Sequence, residues 1–159
     1  MNDNTVIAEN QERFDSVEKY FESRRSYWTE WIQKMSSMLK DMQTLPDLQS
    51  IVYSLRQEAV DNYHNIAETL AKRTKNYKIK HSQIYDNIKV IRIPNTPTYM
   101  YGNEFAVKQK LEGEMAADKY YINIIENHMQ FIENTIKSID GIIYSIQSRI
   151  RVEEIKIGK

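Results

Sequence analysis

Apolar residues recur along this chain in alternating steps of three and four. In the last third, Leu111, Met115, Asp118, Ile122, Ile125, Met129, Ile132, Ile136, Ile139, Ile143, Ile146 and Ile150 keep that spacing without a slip, and Asp118 is the one polar member. A 3.5-residue repeat held this long predicts one helix over 104–157 carrying a coiled-coil seam. Gly113 and Gly141 both fall at the outermost heptad position, where a missing side chain leaves no hole in the seam. Tyr121, Ile124, Phe131 and Ile142 widen the apolar surface beside it.

The first segment repeats the theme. Phe14, Val17, Phe21, Arg24, Trp28, Trp31, Met35, Met38, Met42 and Leu45 also step by three and four, so 1–46 reads as a first helix. Thr44-Leu45-Pro46-Asp47 breaks it, since proline suits the first turn of a new helix and Thr44 or Asp47 can cap one. The next segment, 47–93, has Leu48, Ile51, Leu55, Ala59, Ile66 and Leu70 as its buried face. Ile88 to Ile93 is rich in β-branched residues and fits either a frayed helix or a short extended stretch. Residues 94–103, with two prolines and a glycine, read as a loop, and Asn103 before Glu104 reads as an N-cap with an acid in the first turn.

Composition supports this all-α reading of a single helical domain. The 159 residues are 41% hydrophobic and 28% charged, with only 4 Gly and 3 Pro, a balance that favours long helices with solvated faces. Isoleucine at both seam positions favours bundles over a two-stranded coil. A helix over 104–157 is about 80 Å long, whereas a compact monomer of this size is about 40 Å across. Either the helix bends, for instance at Gly141, or it reaches partner subunits; the preferred expectation is assembly into a homo-oligomer through Ile122, Ile125, Met129, Ile132, Ile136, Ile139, Ile143, Ile146 and Ile150. With no Cys, disulfides and thiolate metal sites are excluded. The start, Met1-Asn2-Asp3-Asn4, lacks the basic residues and apolar run of a signal peptide, and no apolar run is long enough to span a bilayer. A soluble, cytoplasmic protein is expected, with no membrane partner.

Net charge is zero, but it is unevenly spread. Between Lys72 and Arg92 seven basic residues face the single acid Asp86, a local excess of +6, while 9–71 and 104–157 are net acidic. Lys72, Arg73, Lys75, Lys78 and Lys80 are dense enough to displace counterions from phosphates, and Tyr77 or Tyr85 could stack on unpaired bases. The competing reading is a solvated helix end whose cations meet the C-terminal dipole. Trp28 and Trp31 stand in the first seam, which points to core packing, and Met35, Met38 and Met42 read as core filler. Catalytic motifs are missing: His64, His81 and His128 are isolated, and there is no phosphate-binding glycine loop or nucleophile elbow. No enzyme and no cofactor are expected.

Three stretches resemble the UvsY-type recombination mediators of tailed phages. They are the aromatic-rich Tyr27-Trp28-Thr29-Glu30-Trp31-Ile32-Gln33-Lys34, the basic Leu70-Ala71-Lys72-Arg73 with Tyr77, and a C-terminal block with Tyr121, Ile136-Lys137-Ser138, Ile146-Gln147 and Gly158-Lys159. At Lys78 the chain departs from the family pattern, which has a glycine just after its tyrosines. The resemblance implies a small helical protein that forms rings and binds single-stranded DNA. It also implies loading of a RecA-like recombinase onto strands coated by single-strand-binding protein, with Lys72 and Arg73 on the DNA and the last helix in assembly. The alternative is a coiled-coil structural or adaptor protein of a phage or secretion system, without nucleic-acid binding.

Overall fold

The computed structural model describes residues 3–92, 99–101 and 104–158, with side chains at 12, 14–88 and 104–158. Helix α1 spans Asp3–Met38, α2 spans Leu45–Lys89 and α3 spans Glu104–Ile157. The fold is all-α, as the apolar spacing predicts. Among the described residues it departs from this in a short antiparallel ladder of β1, Val90–Arg92, with β2, Tyr99–Tyr101, in which Ile91 lies opposite Met100. Both readings of the β-branched stretch are thus partly right, since the helix runs to Lys89 and the chain then extends. The expected loop is corrected at 99–101, which pair as a strand, and the proposed Asn103 cap lies outside the described residues.

The first break falls close to where proline placed it. A single 3-10 turn, Met42–Thr44, is capped by Asp41, whose carboxylate accepts from the Gln43 amide at 2.9 Å. Thr44 donates its hydroxyl to the Met38 carbonyl at 2.7 Å, which also accepts from the Asp41 amide at 3.2 Å, so the end of α1 is tied to the turn by two bonds. Pro46 then sits in the first turn of α2, where its missing N–H costs nothing.

The chain forms two compact units. The first comprises Met1–Ala67 with Asn127–Lys159, and the second is Glu68–Glu126. In the first unit α1 supplies Trp28 and Met35, α2 supplies Leu45, Leu48, Val52, Leu55 and Ala59, and α3 supplies Ile132, Ile139, Ile142 and Ile146 to one core. Each fully buried Leu or Ile contributes about 1.5–3 kcal/mol of transfer free energy. Phe21 stacks on His128 at 4.1 Å, fixing the level at which α1 meets α3.

Seam residues Ile132, Ile139 and Ile146 of α3 are at most 1% exposed within this one chain, and Ile136, Ile143 and Ile150 pack against the same core. In this unit α1 and α2 thus take up Ile132, Ile139 and Ile146, while Ile136, Ile143 and Ile150 remain half-buried. In the second unit Val107, Leu111, Met115, Ile124 and Ile125 are buried, while Ile122 is half-buried.

Candidate nucleic-acid interface

The basic segment lies on the second half of α2, in the helical hairpin of the second unit. A helix turns about 100° per residue, so Lys72, Lys75 and Lys78 share its outer face, while Arg73, Tyr77 and Lys80 turn toward α3. Lys72, Lys75 and Lys78 are exposed and Arg73 and Tyr77 half-buried, while Lys80, on the side of α3, is also exposed.

Arg73 places its guanidinium over the Tyr121 ring of α3, 4.9 Å from the centroid. Lys80 is held by the Asp118 carboxylate at 2.5 Å. Asp118, the polar break in the α3 seam, is thus balanced by a cation from the facing helix. Arg24, the polar break of the α1 seam, is balanced in the same way. Its guanidinium reaches Glu58 of α2 at 2.9 Å and lies 4.6 Å from the Tyr27 centroid. Tyr27 donates its hydroxyl to the other Glu58 oxygen at 3.0 Å, and burial with that carboxylate raises the phenol pKa. Both breaks are cross-helix ion pairs that specify which residues of two helices stand opposite each other.

The outer row is less encumbered. Lys72 meets Glu68 one turn earlier at 2.6 Å, a contact that holds the Glu68 carboxyl below its ordinary pKa. With both partners well over half exposed, water screens this pair, and it yields readily to a phosphate. Lys75 and Lys78 have no ion pair among the described residues. Tyr77 lies 6.0 Å from His81 in a tilted contact, and Tyr85, the other candidate stacking residue, is half-buried. The structure therefore divides the expected DNA-contacting set, Lys72, Arg73, Lys75, Tyr77, Lys78 and Lys80. Three are presented outward, while Arg73 and Lys80 are tied to α3.

Tyr121 and Asp118 as partners of this segment were not anticipated. The available signal was an acid in an apolar seam of a chain whose bases are concentrated in one other segment. His128 was also passed over. It is 1% exposed, stacked on Phe21 and near-parallel to Phe131 at 6.2 Å, and its pKa is pushed down to about 4 by burial first, then by Arg25 and Arg24. Among the described residues no group of His, Asp or Glu could hold a metal ion, and no helix is long and apolar enough to cross a membrane. Comparison with known proteins returned no match, whether to family models, to curated proteins or to solved structures.

Proposed function

We propose that this protein is a non-catalytic recombination mediator that binds single-stranded DNA as a homo-oligomer and helps to load a RecA-like recombinase onto strands coated by single-strand-binding protein. The observation that carries the DNA-binding part is the outward row Lys72, Lys75 and Lys78. Three cations on successive turns of a rigid helix can follow a phosphate backbone without paying to order a loop. Arg73 on Tyr121 adds a guanidinium held at the edge of that row. Each subunit offers few contacts, so useful affinity arises from several subunits on one strand. The recombinase and the coating protein as partners rest on the sequence resemblance.

Fluorescence anisotropy with an oligothymidylate over a range of salt tests this reading. Log affinity should fall with log salt by about 0.7 per phosphate engaged. Replacing Lys75 and Lys78 with Ala should flatten the slope by about 1.4 for each subunit engaged. Wild-type protein of native helicity with no single-strand affinity at low salt refutes the proposal and leaves the structural or adaptor role.

A further inference from the structure

Arginines bridge helices in both units, but they end on different groups. Arg24 and Arg56, in the first unit, each reach a carboxylate of the facing helix, Glu58 at 2.9 Å and Asp140 at 2.6 Å. Arg24 also lies over the Tyr27 ring, yet Glu58 already engages its N–H groups. Arg73, in the second unit, ends on a ring alone: its guanidinium lies over Tyr121, 4.9 Å from the centroid, and it makes no ion pair among the described residues. A carboxylate takes guanidinium donors in the plane of the group and fixes it edge-on. A ring instead covers one face and leaves the N–H edge and the second face unclaimed. Guanidinium faces are weakly hydrated and stack readily on other flat groups.

The position of Arg73 on α2 decides what can reach it. Leu70, Tyr77, Ile84 and Ile88 follow at steps of seven and four and are all half-buried, so Tyr77 belongs to the apolar row of α2. Arg73 stands about 40° to one side of that row, on the flank it shares with Lys80, and the residue before it is the exposed Lys72. A strand that lays a phosphate against Lys72 can therefore turn the adjoining base onto Arg73.

We infer that Arg73, braced by Tyr121, is the surface on which an unpaired base of the bound strand stacks, and that this contact makes the site prefer single strands to duplex. The inference rests on the single-strand binding proposed above and supplies what the lysine row lacks. Phosphates are common to both forms of DNA, so Lys72, Lys75 and Lys78 alone attract either. A base offers its face and edges only where it is unpaired. Tyr121 is a positioning residue: it orders the guanidinium before the strand arrives, which lowers the entropy lost on binding. Lysine cannot take the place of Arg73, because an ammonium is a point charge without a face.

Fluorescence anisotropy of the full chain with two probes of equal length tests this: an oligothymidylate, and an abasic strand that keeps the phosphates and lacks the bases. At one salt concentration wild type should bind the oligothymidylate on the order of tenfold more tightly than the abasic strand. Arg73→Lys, which keeps the charge, should remove most of that ratio by weakening oligothymidylate binding, while abasic and duplex affinity and the salt slopes stay as in wild type. Tyr121→Leu should act in the same way, and Tyr121→Phe, which keeps the ring, should retain the wild-type ratio. A merely structural role for Tyr121 would instead weaken both probes together. A preference that Arg73→Lys leaves intact overturns the inference, as does an equal loss on both probes. Failure of the wild-type chain to bind either probe at low salt is a separate result, which refutes the single-strand reading and this inference with it.

Discussion

His128 gives the first unit a calculable sensitivity to acid. Its imidazole is almost wholly shielded, stacked on Phe21 at 4.1 Å with Phe131 near-parallel at 6.2 Å, and Arg25 and Arg24 add positive potential. In the folded chain it therefore stays neutral down to about pH 4, whereas in the unfolded chain it takes up a proton near 6.5. A depressed folded pKa means the stability term is fully present above about 6.5 and is lost as pH falls through about 4. The full difference is about 3 kcal/mol, of which about 2.5 kcal/mol has gone by pH 4.5. That is a large part of the 5–15 kcal/mol typical of a domain. Urea unfolding at pH 7 and pH 4.5 should show this loss on top of what the carboxylates contribute. His128→Phe, which keeps the aromatic stack, should remove about that share of the pH dependence while leaving the carboxylate share. Equal losses in wild type and His128→Phe would refute the reasoning, as would an NMR titration placing the His128 pKa near 6.5.

Ile132→Ala should cost about 2–5 kcal/mol as a cavity in the core of one chain, read as a lower thermal midpoint at concentrations where the protein is monomeric. A midpoint shift that vanishes on dilution would place Ile132 at a subunit contact instead. Gly113→Ala, with open space at the Cβ, should stabilise α3 by about 0.5–1 kcal/mol in urea unfolding. Asp118→Asn should release Lys80, steepening the salt dependence of single-strand binding by about 0.7 per engaged subunit, without changing helicity.

Helix positions were legible because spacing alone decides them. The unbroken steps from Leu111 to Ile150 could hardly form anything but one long helix, and Pro46 located the start of α2 to within two residues, although α1 ends at Met38 rather than at the expected 46. Val52 was missed as a core residue because the regular face had been drawn through Ile51 and Leu55, and a helix that packs on two neighbours buries more than one row. The reach of the seam was harder to read. A heptad line is the same whether its partner is another chain or a helix a hundred residues away in the same one, so the isoleucines could not say which. The basic segment was visible as charge density, but which bases face outward depends on the phase of α2 against α3. Arg73 and Lys80 differ from Lys75 and Lys78 only in that phase. The extended pairing of 90–92 with 99–101 depends on a partner strand, which local β-branched content does not reveal.

The second unit lies between the two stretches of sequence that build the first. Residues 68–126 fold back as a hairpin whose contacts, Lys80 with Asp118 and Arg73 with Tyr121, join positions that the turn has already brought near. Such contacts can form in order from the turn outward, each adding little loop-closure entropy to the last. The core of the first unit has no such route, because Trp28 and Leu55 must meet Ile132 and Ile139 across the whole inserted hairpin. Once the hairpin has closed, its two ends emerge side by side and the effective loop shrinks from the full insertion to a few residues. The insertion thus converts a slow, distant encounter into a local one, and loosening the pairing of β1 with β2 should slow the folding of the first unit's core.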